Sequence, residues 1–312
     1  MDRTFFSVRA FFQRFGLILA FVMLCLALTA LSEQFLTLAN ARNILRQASI
    51  NGIISVGMTM VILTAGIDLS VGSVLALTGV VVADLVQKGW ATPAALTAVL
   101  ALGGLAGVVN GLIITKTRVP PFIATLGMMT VARGLALIYT GGGPITGLPE
   151  DFRFMGTGFV GPVPVPILIA GLVFLFGYIL LKHTRAGEYI YAIGDNQVAA
   201  RVSGVPIHRY ITLVYAVSGF LTALASVILV GRLNSGQPSA GYGFEFDAIA
   251  AVVVGGTSLA GGEGGLGGTL LGVLFIEVLK NGLNILNVSS DFQQVVKGVV
   301  IALALLLYRA IK

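Results

Sequence analysis

Apolar runs recur along almost the whole chain, and short polar segments separate them. A helix of about 20 apolar residues can cross a bilayer, because its backbone polar groups are all bonded within the segment. Only 10% of the 312 residues are charged, against about 25% in soluble domains. The chain is therefore predicted to be an all-α integral membrane protein with a single transmembrane domain, residues 1–312. The ten predicted spans lie at residues 15–31, 44–63, 71–86, 93–115, 122–139, 167–181, 211–230, 244–255, 265–283 and 292–307.

The distribution of basic residues predicts an orientation for these spans. The net charge is +6, and a cytoplasmic start places most lysines and arginines on the inner side, as the positive-inside rule requires. Residues 1–14 and both termini are then cytoplasmic, residues 182–210 form a cytoplasmic loop, and the Gly- and Pro-rich segment 141–166 is external. An even number of spans also permits two five-helix halves of opposite orientation.

Motifs for catalysis and nucleotide binding are missing from the sequence. It has no P-loop, no H-E-x-x-H and no G-x-S-x-G pattern. Gly262, Gly264 and Gly267 match the dinucleotide pattern, but no soluble strand precedes them. We interpret them as a tight turn that leads into a glycine-faced helix. We expect no catalytic residue, no metal, no cofactor and no nucleic-acid partner, and we assign the basic excess to membrane topology.

The longest charged segment between apolar runs is residues 182–210. Asp195 or Asn196 can cap a helix there, and Gly204 stands where a left-handed residue ends one. The pattern predicts about two turns of helix at residues 197–203. Two interpretations stay open on this pattern alone: an ordinary basic cytoplasmic loop, or a docking helix that receives a push from a soluble partner.

Span 2 carries polar side chains at every fourth residue, on one face of the helix. This polar face contains Gln47, Asn51, Ser55 and Thr59. Polar groups in hydrocarbon need partners, so the face looks away from lipid. It either binds neighbouring helices or lines a polar path, and the sequence leaves both open.

Other polar and small residues near the span ends are candidates for a gate or for packing. Gly66 permits a chain reversal after span 2, and Asp68 or Ser70 caps span 3 or places a polar group at a gate. Gly103, Gly107 and Gly111 predict that another helix backbone approaches span 4 closely. In span 9, Glu277 is expected to pair with Lys280 or with Asn281, and Asn281 and Asn284 are pathway candidates.

Three long motifs carry a family resemblance. They follow one another along the chain: VGMTMVILTAGIDLSVGSVLALTG at residues 56–79, the segment 189–204, and DAIAAVVVGGTSLAGG at residues 247–262. They resemble permease subunits of bacterial ribose-type monosaccharide ABC importers, over about residues 35–306. The resemblance implies a ten-helix core of the vitamin B12-importer type, a type II ABC importer fold. It also implies a multi-pass protein of the bacterial inner membrane that has no ATPase activity itself.

The same resemblance implies partners and a contact surface. It implies a second permease subunit, which is expected to be identical, with the translocation path at the interface between the two permease subunits. It also implies a separate ATP-binding cassette ATPase and a periplasmic sugar-binding protein. The ATPase contact falls at residues 188–204, with Glu188, Asp195, Asn196, Ala199, Ala200, Arg201 and Gly204 as its candidate residues. The expected cargo is a ribose-like pentose or a hexose. An ion-coupled secondary transporter of small polar solutes is the alternative, although it is expected to carry more central ionisable residues.

Overall fold

The computed structural model describes residues 3–289, 291–296, 298–300 and 302 of the chain. Helices make up most of residues 3–289, and four two-residue strands accompany them. The helices are α1 (Arg3–Leu31), α2 (Leu38–Leu63), α3 (Val71–Gln87), α4 (Thr92–Thr117), α5 (Pro121–Thr140), α6 (Glu150–Thr157), α7 (Val165–His183), α8 (Arg185–Asp195), α9 (Gln197–Val202), α10 (Ile207–Leu233), α11 (Phe244–Val254) and α12 (Leu266–Ile285). The strands are β1 (Ile145–Thr146), β2 (Phe159–Val160), β3 (Val163–Pro164) and β4 (Ser235–Gly236).

Five helices of the described part are long and apolar enough to cross a membrane by length and composition: α4, α5, α7, α10 and α12. The prediction of an all-α, multi-pass membrane protein is thereby confirmed. The count of ten spans is not, since α3 and the apolar part of α1, residues 16–31, are shorter. The tenth predicted span, 292–307, extends into residues that lie outside the described part.

The centre of the bundle is α10, which packs against α2, α3 and α4. In the apolar stretch of α10 72% of the residues are buried, against 28% in α4, α5 and α7. The predicted glycine stripe explains the closest of these contacts. A Cβ on Gly103 would overlap the backbone of Gly219, and one on Gly107 would overlap the backbone of Tyr215. The prediction that another helix backbone approaches span 4 is confirmed.

The predicted span at residues 244–255 is shorter than a membrane crossing. Its helix α11 has 11 residues, about 16 Å at 1.5 Å per residue, roughly half of the hydrocarbon layer. The preceding segment, residues 234–243, reaches the first turn of α3, because Gly241 and Gly72 allow close backbone contact. Arg133 of α5 holds this segment by donating to the carbonyls of Pro238 and Ala240, at 2.7 Å each.

The Gly- and Pro-rich segment 141–166 contains ordered elements. The strand β1 pairs with β4 beside the end of α10, and β2 pairs with β3, both antiparallel. The helix α6 lies between these pairs and packs against α10. Arg46 near the start of α2 donates to the carbonyl of Thr157 at 3.4 Å. The segment therefore covers the end of the bundle where α2 begins and α10 ends.

Candidate translocation and coupling sites

The polar face of α2 divides into two halves with different surroundings. Gln47 and Asn51 line a cavity of about 230 Å³ that α2, α10, α11 and α12 enclose, which we call the α2–α12 cavity. Thr59 instead shares a hydrogen bond of 2.8 Å with Thr269 of α12. Ser55, between them, is fully buried, and its hydroxyl has no hydrogen-bond partner. The end of the polar face with Gln47 and Asn51 therefore borders the α2–α12 cavity, and the end with Thr59 joins α2 to α12.

Three charged side chains meet at the α2–α12 cavity. Lys280 Nζ lies 3.0 Å from Glu277 Oε1 and 3.0 Å from Asp247 Oδ2, so one ammonium bridges two carboxylates. Asn51 Nδ2 donates to the same Glu277 Oε1 at 2.9 Å. The predicted pair of Glu277 with Lys280 is present. The part played by Asp247 was missed, because Asp247 lies on α11, 33 residues from Lys280 along the chain.

Two buried acceptor atoms at this cavity have no partner. They are Glu277 Oε2 and Asn51 Oδ1, and their residues are only 2% and 4% exposed. A buried polar atom without a hydrogen bond is costly and uncommon, and it often marks a place that water or a ligand fills. Two side chains that line the cavity and anchor its charged groups therefore each carry a buried acceptor that no hydrogen bond uses.

The predicted pathway residues Asn281 and Asn284 lie away from this cavity. Asn281 forms a reciprocal amide pair with Asn40 at the start of α2, at 2.8 and 3.0 Å. Asn284 is exposed, and its Oδ1 accepts from Gln293 Nε2 at 2.8 Å. The alternative pair of Glu277 with Asn281 does not form, because Asn40 takes the amide. In this chain both asparagines join segments to one another.

A second buried polar cluster, which we call the Asp68 cluster, surrounds the turn between α2 and α3. Asp68 Oδ1 accepts from the backbone nitrogen and the hydroxyl of Ser70, at 3.0 and 2.6 Å. Its Oδ2 accepts from Ser218 of α10 at 3.0 Å. Asn110 of α4 donates to Ser70 Oγ at 3.0 Å. The predicted side-chain cap of α3 does not form, because Ser70 is the N-cap residue and makes no side-chain capping hydrogen bond. The Asp68 carboxylate instead bonds Ser70 and Ser218, and so it holds the turn before α3 to α10.

Burial and hydrogen bonding act in opposite directions on Asp68, which lies outside both neighbouring helices. Burial raises the pKa of its carboxyl, and the bonds from Ser70 and Ser218 lower the pKa in part. Among the described residues, no hydrogen bond or ion pair joins this carboxyl group to a cation. Three hydrogen bonds instead hold the carboxyl group, which is how a buried carboxyl is accommodated without an ion pair.

The chain reversal at this turn does not use Gly66. Ala65 adopts the left-handed conformation, with a φ of 59°. Gly66 is needed for space, because a Cβ there would fall 2.5 Å from the hydroxyl of Tyr215. The prediction assigned the reversal to the wrong residue, since the demand for a small side chain comes from α10. Gly66 also lines a cavity of about 520 Å³ together with Arg118 and Arg201.

The segment 182–210 forms two helices, α8 and α9, and the predicted caps of the second are present. Asn196 Oδ1 accepts from the backbone nitrogens of Val198 and Ala199, at 3.1 and 3.0 Å. Gly204 has a φ of +82° and ends the helix. The N-cap is thus Asn196, while Asp195 is the last residue of α8. The helix spans Gln197–Val202, one residue less than predicted.

One residue of the predicted ATPase contact surface, Ala200, faces the core of the bundle and not the solvent. Ala200 is 5% exposed and belongs to the main core, whereas Val198 and Val202 are 73% and 85% exposed. The remaining candidates on this segment are exposed: Glu188, Asp195, Asn196, Ala199, Arg201 and Gly204. The expectation that Ala200 approaches a partner is wrong, because α9 rests on the bundle through this small residue. Val198 and Val202, which the sequence analysis did not select, form its apolar outer face.

The helix α8 connects α9 to two turns of the bundle. A Cβ on Gly194 would overlap the carbonyl of Leu63, the last residue of α2. Gly262 of the glycine-rich turn donates to that same carbonyl at 3.0 Å, and Tyr191 of α8 donates to the carbonyl of Gly264 at 3.0 Å. Beyond the turn, Gly268 and Gly272 contact the backbone of α11, as the predicted glycine face requires. The helix α8 therefore contacts both the end of α2 and the turn that precedes α12.

Apolar helices around buried polar clusters and a polar cavity are typical of membrane transport proteins. Residues 40–305 match the model of the family described as branched-chain amino acid transport system / permease component. The chain belongs to this family of transport permeases. No solved structure matches the chain.

The relatives include sugar permeases. The chain is 51% identical to the ribose import permease protein RbsC of Escherichia coli (strain K12) over 293 residues, which cover 93% of this chain and 91% of that protein. It is 49% identical to the Bacillus subtilis (strain 168) protein of the same name, over 95% and 93% of the two chains. It is 37% identical to the D-allose transport system permease protein AlsC of Escherichia coli (strain K12), over 98% and 94%. The predicted resemblance to ribose-type ABC importer permeases is confirmed.

Proposed function

We propose that this chain is the membrane-spanning subunit of an ATP-driven importer of a ribose-like monosaccharide in a bacterial inner membrane. The name of the relatives, ribose import permease protein, supports the substrate class. The partners are a separate ATP-binding cassette ATPase, a periplasmic sugar-binding protein and a second, identical permease subunit. Both termini and residues 182–210 face the cytoplasm, and residues 141–166 face the periplasm.

The single observation that carries the coupling role is the shape of α9. This helix has six residues, and isolated helices of that length are unstable in water. Its caps and the burial of Ala200 hold it in place, yet two valines of its outer face stay exposed. An exposed apolar face on a fixed helix favours docking to a protein over a solvated loop. The ATPase therefore binds residues 188–204 and covers Val198 and Val202.

The contacts of α8 supply a route for the movement. Closure of the ATPase domains on ATP pushes α9, and α8 passes the displacement to Leu63 and to the turn at Gly262 and Gly264. The cavity beside Gly66 and Arg201 leaves space for this shift. The ends of α2 and α12 then move together, and these helices carry Asn51 and Glu277 at the α2–α12 cavity. Gln47 and Asn51 lie on the sugar path, while Asp68, Ser70 and Gly66 hold the gate turn.

The test places a charge on the outer face of α9. Val202→Glu should reduce capture of the ATPase at least tenfold, because an apolar contact would have to bury a carboxylate. Val160→Glu is the matched control, since Val160 is also exposed but lies on β2 at the other end of the bundle. The measurement is co-purification of the cognate ATPase in detergent, with ATP-driven sugar uptake in liposomes containing the binding protein.

Two outcomes would overturn parts of this proposal. Normal ATPase capture by Val202→Glu would mean that α9 is a solvated loop. Sugar uptake by the permease alone, under a proton or sodium gradient, would identify an ion-coupled carrier instead. Ala200→Glu is not a suitable test of docking, because that side chain faces the core of its own chain.

A further inference from the structure

The α2–α12 cavity combines features that a neutral, polyhydroxylated ligand requires. We propose that this cavity is a binding site for a monosaccharide within a single permease subunit, occupied during passage. The proposal rests on the proposed function for its substrate, but it assigns a site and residues that this function does not require. The residues that define the site are Asn51, Glu277, Lys280, Asp247, Arg232 and Phe244.

The first argument is the unfilled hydrogen-bonding capacity. Glu277 Oε2 and Asn51 Oδ1 are buried acceptors without a partner, on two side chains that line the cavity. A sugar hydroxyl donates one hydrogen bond and accepts others, so neighbouring hydroxyls can satisfy both atoms. Leaving such buried acceptors without a hydrogen bond is destabilising in proteins. A ligand rich in hydroxyls therefore removes a cost that the empty site carries.

The second argument is that donors accompany these acceptors. An ammonium carries three N–H donors, and Lys280 directs two bonds at 3.0 Å to Glu277 and Asp247. Arg232 lines the cavity and donates to Asn43 at 3.1 Å with only one of its nitrogens. The ring of Phe244 supplies an apolar face, and its centroid lies 5.9 Å from Lys280 Nζ. Acceptors, donors and one aromatic ring match the alternating polar and C–H surface of a sugar.

The third argument concerns charge and size. Lys280 already bridges the two carboxylates, so a cation would have to compete with an ammonium at 3.0 Å. A neutral ligand meets no such competition. The cavity of about 230 Å³ is smaller than the roughly 300–1,000 Å³ of pockets for drug-sized ligands. It therefore suits a monosaccharide better than a disaccharide or a larger solute.

The experiment measures occupancy of the α2–α12 cavity through an apolar residue of its lining, which is not one of the proposed ligand-binding side chains. Leu233 lines the cavity and is 46% exposed, so Leu233→Cys on a Cys25→Ala background provides a single thiol. The complex of permease and ATPase is purified without the binding protein, and the labelling rate with a methanethiosulfonate reagent is measured. We expect ribose to slow labelling several-fold, and betaine, a small solute without hydroxyls, to leave the rate unchanged.

Variants of the site separate binding from a general conformational effect. Glu277→Gln in the reporter background should raise the ribose concentration for half protection about tenfold, because it removes one of the acceptors. Asn51→Ser is a second variant in case the first folds poorly, and it should shift protection in the same direction. Glu33→Gln is the matched control, since Glu33 is exposed between α1 and α2, is not among the residues that line the cavity, and should change nothing.

Three outcomes would overturn the site. They are labelling that ribose does not slow, equal slowing by betaine, and half protection that neither site variant shifts. The proposed function is tested separately by ATP-driven uptake with the binding protein and the unmodified permease. Uptake without protection would remove this inference and leave the importer intact, whereas absence of uptake would count against the importer itself.

Discussion

The α2–α12 cavity and the Asp68 cluster are both built around buried carboxylates, but the two regions satisfy them differently. Asp68 accepts from three donors, in the turn between α2 and α3, and uses both oxygens. Glu277 uses Oε1 for Asn51 and Lys280 and leaves Oε2 without a partner. Asn110 Oδ1 of the Asp68 cluster also lacks a partner, so the two regions differ at their carboxylates and in the presence of a cavity. A fully bonded carboxylate fixes the helices around it, whereas an incompletely bonded one beside a cavity retains capacity for a ligand. The difference identifies the first as structural and the second as a candidate site.

The largest expected effect follows from removing the ammonium that bridges the two carboxylates of the cavity. Lys280→Met leaves Asp247 and Glu277 close together without the ammonium that bridges them. Breaking a buried ion pair on one side costs about 3–5 kcal/mol. We expect a marked fall in the yield of folded permease and in its melting temperature, measured by fluorescence-detected size-exclusion chromatography after heating.

A rescuing second substitution and a control variant test whether the loss of stability comes from the buried ion pairs. Adding Glu277→Gln to Lys280→Met should restore part of the lost stability, because only one carboxylate then remains. Lys88→Met is the matched control, since the Lys88 side chain is 65% exposed in its 2.7 Å pair with Asp84, and exposed pairs contribute about 0–1 kcal/mol. Equal losses in Lys280→Met and Lys88→Met would show that the cavity does not depend on its ion pairs.

The second effect concerns the Asp68 cluster. Asp68→Leu leaves the donors of Ser70 and Ser218 without their acceptor, at a cost of about 1–3 kcal/mol. We expect lower thermal stability, and the loss should persist with or without sugar because no ligand replaces those bonds. The measurement is thermal stability of the purified permease with and without ribose, and Glu33→Leu at an exposed carboxylate is the control. Recovery of Asp68→Leu by ribose would contradict the structural role.

Features set by neighbouring residues were predicted from the sequence, and features set by distant contacts were not. The caps of α9 follow from Asn196 and Gly204, and the approach of α10 to α4 follows from the spacing of glycines at Gly103 and Gly107. These signals lie within one helix or one turn. The pattern left open whether the polar face of α2 binds neighbouring helices or lines a polar path, and it did not distinguish Asn51 from its neighbours.

The rest depends on which distant residues meet. Ser218 lies 150 positions from Asp68, and Glu277 lies 226 positions from Asn51, so no local pattern links them. The burial of Ala200 was missed because six residues of helix are too few to reveal which face is inside. The length of α11 was predicted wrongly. In a sequence, an apolar helix that crosses half of the membrane resembles one that crosses all of it when the preceding segment also enters the bundle. The fold class can be predicted from composition, but the candidate site can be located only from the packing of the helices.

The smallest effects compare two neighbouring positions on the polar face of α2. Thr59→Val removes the 2.8 Å bond to Thr269, and interhelical bonds of this kind average about 0.6 kcal/mol in a membrane. Ser55→Ala removes a buried hydroxyl that has no partner, so we expect unchanged or slightly higher stability. Thermal melts of both variants, with sugar uptake as a second readout, test the division of this face. Neither variant should alter uptake, because only Gln47 and Asn51 of the four side chains border the α2–α12 cavity. A loss of uptake in Ser55→Ala at normal stability would extend the sugar path one turn along α2, and the division drawn between Asn51 and Ser55 would have to move.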